Sequence, residues 1–119
     1  MRDHTKLRAF EIADDIAASV YAVTAEFPRE ELYGLTSQMR RAAISVPSNI
    51  VEGCARDSQA DYVRFLVMAF GSLRELHYQL GLAVRLGFAE KKAVTDLEHK
   101  IVENEKILNG LIRSLQKGG

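Results

Sequence analysis

Apolar residues recur along most of the chain at alternating spacings of three and four, which is typical of helices that bury one face. Four such seams run from Ala13 to Phe27, Leu35 to Ile50, Tyr62 to Ala83 and Val94 to Leu115. They predict four helices, at about residues 8–27, 35–52, 58–86 and 90–116. No segment alternates with the two-residue period of a strand.

Local signals mark the ends of these helices. Pro28 ends the first, because proline disfavours helical geometry in the residue before it. Gly53 marks the end of the second, and Ser58 with Asp61 resembles a capping box that starts the third. Gly87 is placed as a left-handed cap after the third helix, with Phe88 as its apolar partner.

Short connections force successive helices to lie antiparallel. The fold class predicted is therefore all-α, an up-down-up-down four-helix bundle formed by residues 1–119 as a single domain. One seam position in the fourth helix is polar. Asn104 either is buried and fixes the register of the helices, or lies at the edge of a drifting seam.

Helices two and three carry more apolar surface than one bundle needs. A second stripe on helix three holds Val63, Val67 and Phe70, and a stripe opposite the core seam of helix two holds Tyr33, Ile44, Pro47 and Val51. Contiguous exposed apolar residues mark interfaces, which predicts a homo-oligomer. The alternative is scattered surface apolar residues, which are common.

Gly71 and Gly81 lie inside helix three, where each costs about 1 kcal/mol against alanine. Close approach of another backbone would explain their presence.

Pro47 lies within the second seam, where it has no N–H for the carbonyl of Ala43. Because Ile50 keeps the apolar phase of the residues before Pro47, we expect helix two to be kinked but continuous. The alternative is a new helix that starts with Ser45 as its N-cap. In both cases the Ala43 carbonyl needs a donor, for which Ser48 and Asn49 are candidates.

A third stripe of helix two is small and polar. Arg41 lies one and two turns from Ser45 and Ser48, an arrangement that suits a phosphate or another anion. The alternative is a solvated face on which Arg41 pairs with a local carboxylate.

Composition narrows the function further. The 119 residues are 47% hydrophobic and 27% charged, and 16 basic residues balance 16 acidic ones. Zero net charge argues against a globally basic nucleic-acid binder but allows a basic patch. The single cysteine, Cys54, a charged N-terminus and the absence of a long apolar run predict a cytoplasmic protein with no membrane partner.

Catalytic and metal-binding patterns are lacking in the sequence. The histidines are His4, His77 and His99, and none forms the Glu-x-x-His pair of a bundle di-metal site. Cys54 has no partner histidine, and there is no glycine-rich phosphate loop. We expect no enzyme activity, no metal and no cofactor.

Three segments carry a family resemblance: YGLTSQMRRAAISVPSNI, VEG and RFLVMAFGSLREL. In them the chain resembles the bacterial four-helix bundle proteins encoded in intervening sequences of 23S ribosomal RNA genes. The resemblance extends in outline from Phe10 to Leu115. His77 and Val51 depart from it, where an acidic residue and an alanine are usual.

The resemblance implies a ring-like homopentamer without enzyme activity. The family is related in fold to the accessory variability proteins of diversity-generating retroelements, pentameric bundles that bind nucleic acid and a reverse transcriptase. The matching motif residues are Gln38, Arg40, Arg41, Ser45, Pro47, Ser48, Asn49, Glu52, Gly53, Arg56, Arg64, Gly71, Ser72 and Arg74.

In such a ring, basic residues repeated by symmetry would form an annulus that binds RNA or a nucleoprotein. The expected binding residues are Arg40, Arg41, Ser45, Ser48, Arg56 and Arg64. The alternative function is a protein-binding scaffold with no role in nucleic-acid binding, in which the same motif serves packing and assembly.

Overall fold

The computed structural model describes residues 2–118, and over this range the chain is helical and contains no strand. Its four long helices are α1 (Arg8–Thr24), α2 (Ser37–Cys54), α3 (Gln59–Arg85) and α4 (Thr95–Gly118). The all-α fold with four helices that the apolar spacing predicts is confirmed.

Each helix packs against the next one in the chain, and α1 also packs against α4. Contacts between successive helices join early residues of one to late residues of the other. Arg41 of α2 meets Glu75 of α3, and Gln59 at the start of α3 meets Leu115 near the end of α4. Contacts of this kind belong to antiparallel neighbours. The bundle measures 45 × 23 × 19 Å, and all four helices contribute to one apolar core.

The connection between α1 and α2 is more structured than a short loop. The helix α1 ends at Thr24, three residues before the predicted end, although Phe27 is still buried. A turn of 3₁₀ helix spans Arg29–Glu31, and a wider turn spans Leu32–Thr36. Gly34 has φ −114° and ψ −116°, which is not helical, so regular helix begins only at Ser37 rather than at residue 35.

The helix α2 continues through Pro47, so a new helix starting at Ser45 is not seen. The amide of Asn49 donates to the backbone carbonyl of Ser45 at 2.8 Å, not to the Ala43 carbonyl for which it was a candidate donor. Met39, Val46 and Ile50 are all buried, which shows that the apolar phase is kept across the proline. A bend at Pro47 stays a prediction.

Gly53 lies inside α2, which ends at Cys54, two residues beyond its predicted end, and Gly53 is buried against α3. A Cβ atom at this position would lie 2.8 Å from the Cβ of Phe65 and 3.3 Å from the backbone oxygen of Tyr62. Two helices can come this close only where one of them lacks a side chain. The glycine therefore serves close packing of α2 on α3, not the ending of α2.

The corner between α3 and α4 has the predicted cap. Gly87 has φ +79°, the one positive φ among the described residues, and the amide of Phe88 donates to the carbonyl of Ala83 at 2.9 Å. This is the bonding pattern of a Schellman cap. The ring of Phe88 lies 5.8 Å from that of Phe27, which ties this corner to the connection between α1 and α2. At the other end of α3, Ser58 Oγ accepts from the amide of Asp61 at 3.1 Å.

The α4 helix begins at Thr95, after a 3₁₀ turn over Lys91–Val94, five residues later than predicted. Its seam drifts at the far end, where Ile112 is buried and Leu111 only half-buried. Asn104 is fully buried. Its Nδ2 donates to the carbonyl of Ala9 at 3.2 Å, and its Oδ1 has no protein partner. Asn104 is therefore buried in the core and does not lie at the edge of the seam.

Gly53→Ala is expected to lower the free energy of unfolding by about 1–3 kcal/mol, because the new methyl overlaps Phe65 and forces α2 and α3 apart. Urea denaturation measures the change. Gly110→Ala is the matched control, since its added Cβ meets no atom within 4 Å. It should stabilise the protein by up to about 1 kcal/mol. Equal effects at the two glycines would contradict the packing role of Gly53.

Asn104→Leu is expected to raise the free energy of unfolding by about 1 kcal/mol, because it removes a buried oxygen that lacks a partner. The same change should weaken the fixed register between α1 and α4, which the bond to Ala9 helps to define. Denaturation measures the first effect, and amide exchange at Ala9 and its neighbours measures the second. A lower stability would show that the Ala9 bond outweighs the orphaned oxygen.

Candidate nucleic-acid and assembly surfaces

The six residues predicted to bind an anion lie in three separate places. Arg40 reaches α1, where its Nε donates to the hydroxyl of Thr24 at 2.9 Å. Its guanidinium also lies 4.6 Å from the centre of the Tyr21 ring. Both contacts hold Arg40 against its own bundle, so it is a structural bridge between α1 and α2.

Arg41 and Ser45 lie in a polar seam between α2 and α3. Arg41 pairs with Glu75 at 2.6 Å and also donates to Gln38 at 3.2 Å. The hydroxyl of Ser45 shares a hydrogen bond of 2.9 Å with that of Ser72. Arg41 is thus paired with a carboxylate, as expected if this face of helix two is solvated and binds no anion. The carboxylate belongs to α3, however, and not to a nearby residue of α2. Ser48 is exposed on the outer side of α2.

Arg56 and Arg64 meet at the corner between α2 and α3. Their guanidinium carbons lie 4.7 and 4.8 Å from the centre of the Phe65 ring. Arg2 joins them, 4.0 Å from the centre of the Tyr62 ring. We call Arg2, Arg56 and Arg64 the arginine cluster. Cation–π contacts of this kind hold a guanidinium in place without neutralising its charge.

Arg2 also closes the C-terminal end of α2. Its backbone amide donates to the carbonyl of Cys54 at 3.0 Å, and its Nη1 donates to the carbonyl of Arg56 at 3.2 Å. The last carbonyls of a helix lack partners within the helix and carry partial negative charge, so a cation is stabilising there. Sequence reasoning missed Arg2 because its partners lie more than 50 positions away along the chain, beyond any local spacing signal.

Aspartates lie beside the arginine cluster and reduce its net charge. Asp61 is 3.6 Å from Arg64, and Asp57 follows Arg56 in the chain. Hydrogen bonds from the side chain and backbone of Thr5 lower the pKa of Asp3, so this carboxylate is charged at neutral pH. The cluster therefore offers planar, fixed guanidinium groups rather than a strong positive field.

Cys54 and Tyr62 lie beneath the cluster. Burial raises the pKa of the Cys54 thiol, which disfavours the reactive thiolate. Burial also raises the pKa of Tyr62 to about 12. Both groups are neutral near pH 7, and their place below the arginines is a packing role.

The seven residues predicted for an oligomer interface are exposed or half-buried. The exposed fractions are 92% for Tyr33, 44% for Ile44, 36% for Val51 and 48% for Val67. Pro47, Val63 and Phe70 are half-buried. We call Tyr33, Ile44, Pro47 and Val51 the α2 stripe, and Val63, Val67 and Phe70 the α3 stripe.

The two stripes lie on opposite sides of the bundle. Arg40, which shares the helical face of the α2 stripe, points to α1 through Thr24. Arg74, which follows Phe70 on the face of the α3 stripe, points to α4 through Glu105 at 3.5 Å. The polar seam of Arg41, Ser45 and their α3 partners lies between the stripes. The apolar residues therefore form two patches, not one.

Gly71 and Gly81 do not serve close helix packing within the described chain. Both are exposed, and a Cβ atom at either position would meet nothing within 4 Å. The close approach expected at these positions is absent inside the bundle, which leaves two flat places on the outer surface of α3.

A polar cluster also joins α3 to α4. Glu105 is buried and accepts from His77 at 2.9 Å, with Arg74 close by, and Glu98 lies 3.7 Å from His77. Over residues 2–118 no group of three or more histidine, cysteine or carboxylate side chains is placed to hold a metal ion. None of the helices in the described range has the length and apolar content to cross a membrane.

Comparison with known proteins places this fold. The model of the 23S rRNA-intervening sequence protein family matches residues 5–110. A solved structure from Bacteroides thetaiotaomicron VPI-5482, a protein with unknown function from the S23 ribosomal protein family, superposes with a TM-score of 0.81 at 21% identity. The match covers 88% of this chain and 95% of that one, and at this identity it shows a shared fold. No curated protein matches the chain. Since the family model covers most of its length, the chain belongs to the 23S rRNA-intervening sequence protein family.

Proposed function

We propose that this protein is a non-enzymatic homo-oligomer that binds RNA through its arginine clusters. The observation that carries the assembly is the pair of apolar stripes on opposite sides of one bundle. A two-fold dimer needs one self-complementary patch, whereas head-to-tail association needs two different patches on each copy. Two stripes on opposite sides suit the second arrangement, which closes into a ring where the rotation between neighbouring copies is a whole fraction of a turn.

Five copies are the number that the family resemblance implies. The charged residues on the same faces, Arg40 and Arg74, are turned toward α1 and α4, and Tyr33 adds an aromatic side chain that is almost wholly exposed. Aromatic residues are enriched and charges depleted at the centres of protein interfaces. Each copy would give its α2 stripe to one neighbour and its α3 stripe to the other.

RNA binding is supported by the arginine cluster. The guanidinium groups are held 4.0 to 4.8 Å from the Tyr62 and Phe65 ring centres and border the surface, where they would be available for stacking with unpaired bases. A ring would repeat the cluster once per copy and so present many weak contacts to one strand. Arg40 and Arg41, which were expected to belong to the basic annulus, are engaged by Thr24 and Glu75 and are assigned here to packing.

The lack of enzyme activity in this proposal agrees with the surroundings of Cys54. It is the only cysteine, it is 1% exposed, and burial raises the pKa of its thiol. A nucleophilic cysteine needs the opposite conditions, namely access to substrate and a lowered pKa.

Assembly is tested by the mass of the protein in solution. We expect light scattering at micromolar concentration to give a multiple of the chain mass, with five copies in the ring. Val51→Glu and Val67→Glu, one on each stripe, should each yield monomers, because every interface would use both stripes. Asn109→Glu, which adds the same charge to an exposed position on α4, should leave the mass unchanged. A monomeric wild-type protein would rule out the oligomer.

RNA binding is tested by titrating single-stranded RNA at several salt concentrations. The affinity should fall as salt rises, and Arg56→Ala with Arg64→Ala should reduce the slope of log affinity against log salt by about 1.4, or about 0.7 for each lost phosphate contact. Arg113→Ala on the exposed surface of α4 is the control for loss of one charge.

Two further outcomes of the RNA titration are informative. A larger effect of Arg41→Ala than of the cluster variants would move the site to the polar seam between α2 and α3. Absence of measurable binding at low salt would reject RNA as the partner and favour the protein-binding scaffold.

A further inference from the structure

The surface between the end of α3 and the start of α4 contains an apolar groove beside Gly81. It has a volume of about 290 Å³ and is lined by Leu80, Gly81, Val84, Arg85, Lys91, Val94 and Glu98. Because Gly81 has no side chain, one wall of the groove is open. A cavity of about 150 Å³ is enough to hold a benzene molecule. The groove is thus large enough for an aromatic side chain.

Tyr33 is an aromatic side chain without a partner in its own bundle. It is 92% exposed, and it is carried on the turn Leu32–Thr36, where Gly34 departs from helical geometry. Leu32 beside it is 46% exposed. Contiguous exposed apolar side chains mark interfaces, and tyrosine is enriched among the residues that dominate binding energy.

Tyr33 and the groove lie at the same height along the bundle. Arg41 contacts Glu75 and Ser45 contacts Ser72. Each turn toward the N-terminus of α2 therefore lies beside the turn of α3 that is next nearer to its C-terminus. Extended to Tyr33, this register reaches the last turns of α3, where Gly81 lies. The contact between Phe27 and Phe88 places both features at the same end of the bundle. The groove is formed by α3 and the start of α4, whereas Tyr33 precedes α2, whose outer residue Arg40 contacts α1, so the two features belong to different surfaces of the bundle.

Charge complements shape in this pairing. Arg85 and Lys91 stand at the rim of the groove, and within residues 2–118 neither forms an ion pair. Glu30, three residues before Tyr33, is exposed and equally lacks an ion pair in that range. Glu98 also lines the groove, but the two cations leave the lining with a net positive charge, which favours the approach of Glu30 beside Tyr33.

We propose that Tyr33 of one copy inserts into the Gly81 groove of the next copy, with Glu30 facing Arg85 and Lys91. This inference rests on the proposed oligomer and gives it a specific contact. It also explains why residue 81 is a glycine, because a side chain at this position would fill the groove. The relation is head-to-tail: each copy would offer Tyr33 to one neighbour and its Gly81 groove to the other.

The first experiment fills the Gly81 groove or removes the Tyr33 side chain. Gly81→Leu is expected to fold, since its Cβ meets no atom within 4 Å, and Gly110→Leu is the matched control. Gly81→Leu and Tyr33→Ala should each weaken association at least about thirtyfold, the effect of losing an interface hot spot, while Gly110→Leu leaves it unchanged. Mixed in equal amounts, Gly81→Leu and Tyr33→Ala should form a heterodimer and no ring, because only one complete contact is available.

The second experiment places cysteines at the edge of the contact and leaves Tyr33, Gly81, Glu30 and Arg85 in place. Leu32→Cys and Lys91→Cys proteins, mixed and treated with a short bis-maleimide, should give cross-linked pairs that neither variant gives alone. Native Cys54 does not compete, because it is 1% exposed and burial raises its pKa. Asn109→Cys replaces Lys91→Cys as the control and should give no pairs.

The outcomes separate this contact from the assembly itself. A monomeric wild-type protein would overturn the proposed oligomer and this contact together. A wild-type oligomer that survives Gly81→Leu and Tyr33→Ala, or whose mixed cysteine variants do not cross-link, would overturn this contact alone and leave the groove to a different occupant. Cross-linking of Leu32→Cys with itself would indicate a two-fold contact and would also overturn it.

Discussion

Helices α2 and α3 approach so closely at Gly53 that a Cβ atom there would overlap the Cβ of Phe65. This contact sets the spacing of the two helices at one end, where Arg56 and Arg64 lie 4.7 and 4.8 Å from the centre of the Phe65 ring. Further along, the same pair is joined by hydroxyl and carboxylate contacts from Ser45 to Ser72 and from Arg41 to Glu75. Close packing at the corner and polar contacts along the seam together fix how α2 is rotated about its axis.

That rotation decides which residues of α2 remain available to a partner. With Met39, Val46 and Ile50 in the core and Ser45 against α3, the side chains of Ile44 and Val51 point outward on the α1 side. The motif RRAAISVPSNIVEG thus serves three surroundings at once: the core, the neighbouring helix α3, and an outer apolar face. Its conspicuous polar residues mostly hold the bundle together, whereas its apolar outer residues are the ones without partners.

How much of the structure could be predicted depended on how far apart along the chain the interacting residues lie. Helix number and core positions follow from spacings within one helix, and the Gly87 cap follows from a few adjacent residues, so both were predictable. The arginine cluster was not, because Arg2 meets the end of α2 only after the chain has folded. The prediction that Gly53 ends a helix is wrong, because a glycine that ends a helix and a glycine that allows a neighbouring helix to pack closely look the same in sequence. The carboxylate that pairs with Arg41 was sought on the same helix, but it lies on α3.

The contact between Phe27 and Phe88 joins the turn that carries Tyr33 to the corner that borders the Gly81 groove. In the proposed assembly, the Gly81 groove beside this corner would bind Tyr33 of one neighbour. The copy's own Tyr33, on the turn Leu32–Thr36, would bind the groove of the other neighbour. The two contacts that each copy would make are thus joined through a single pair of aromatic rings, so a change at the Phe27–Phe88 contact would disturb both surfaces of a copy at once.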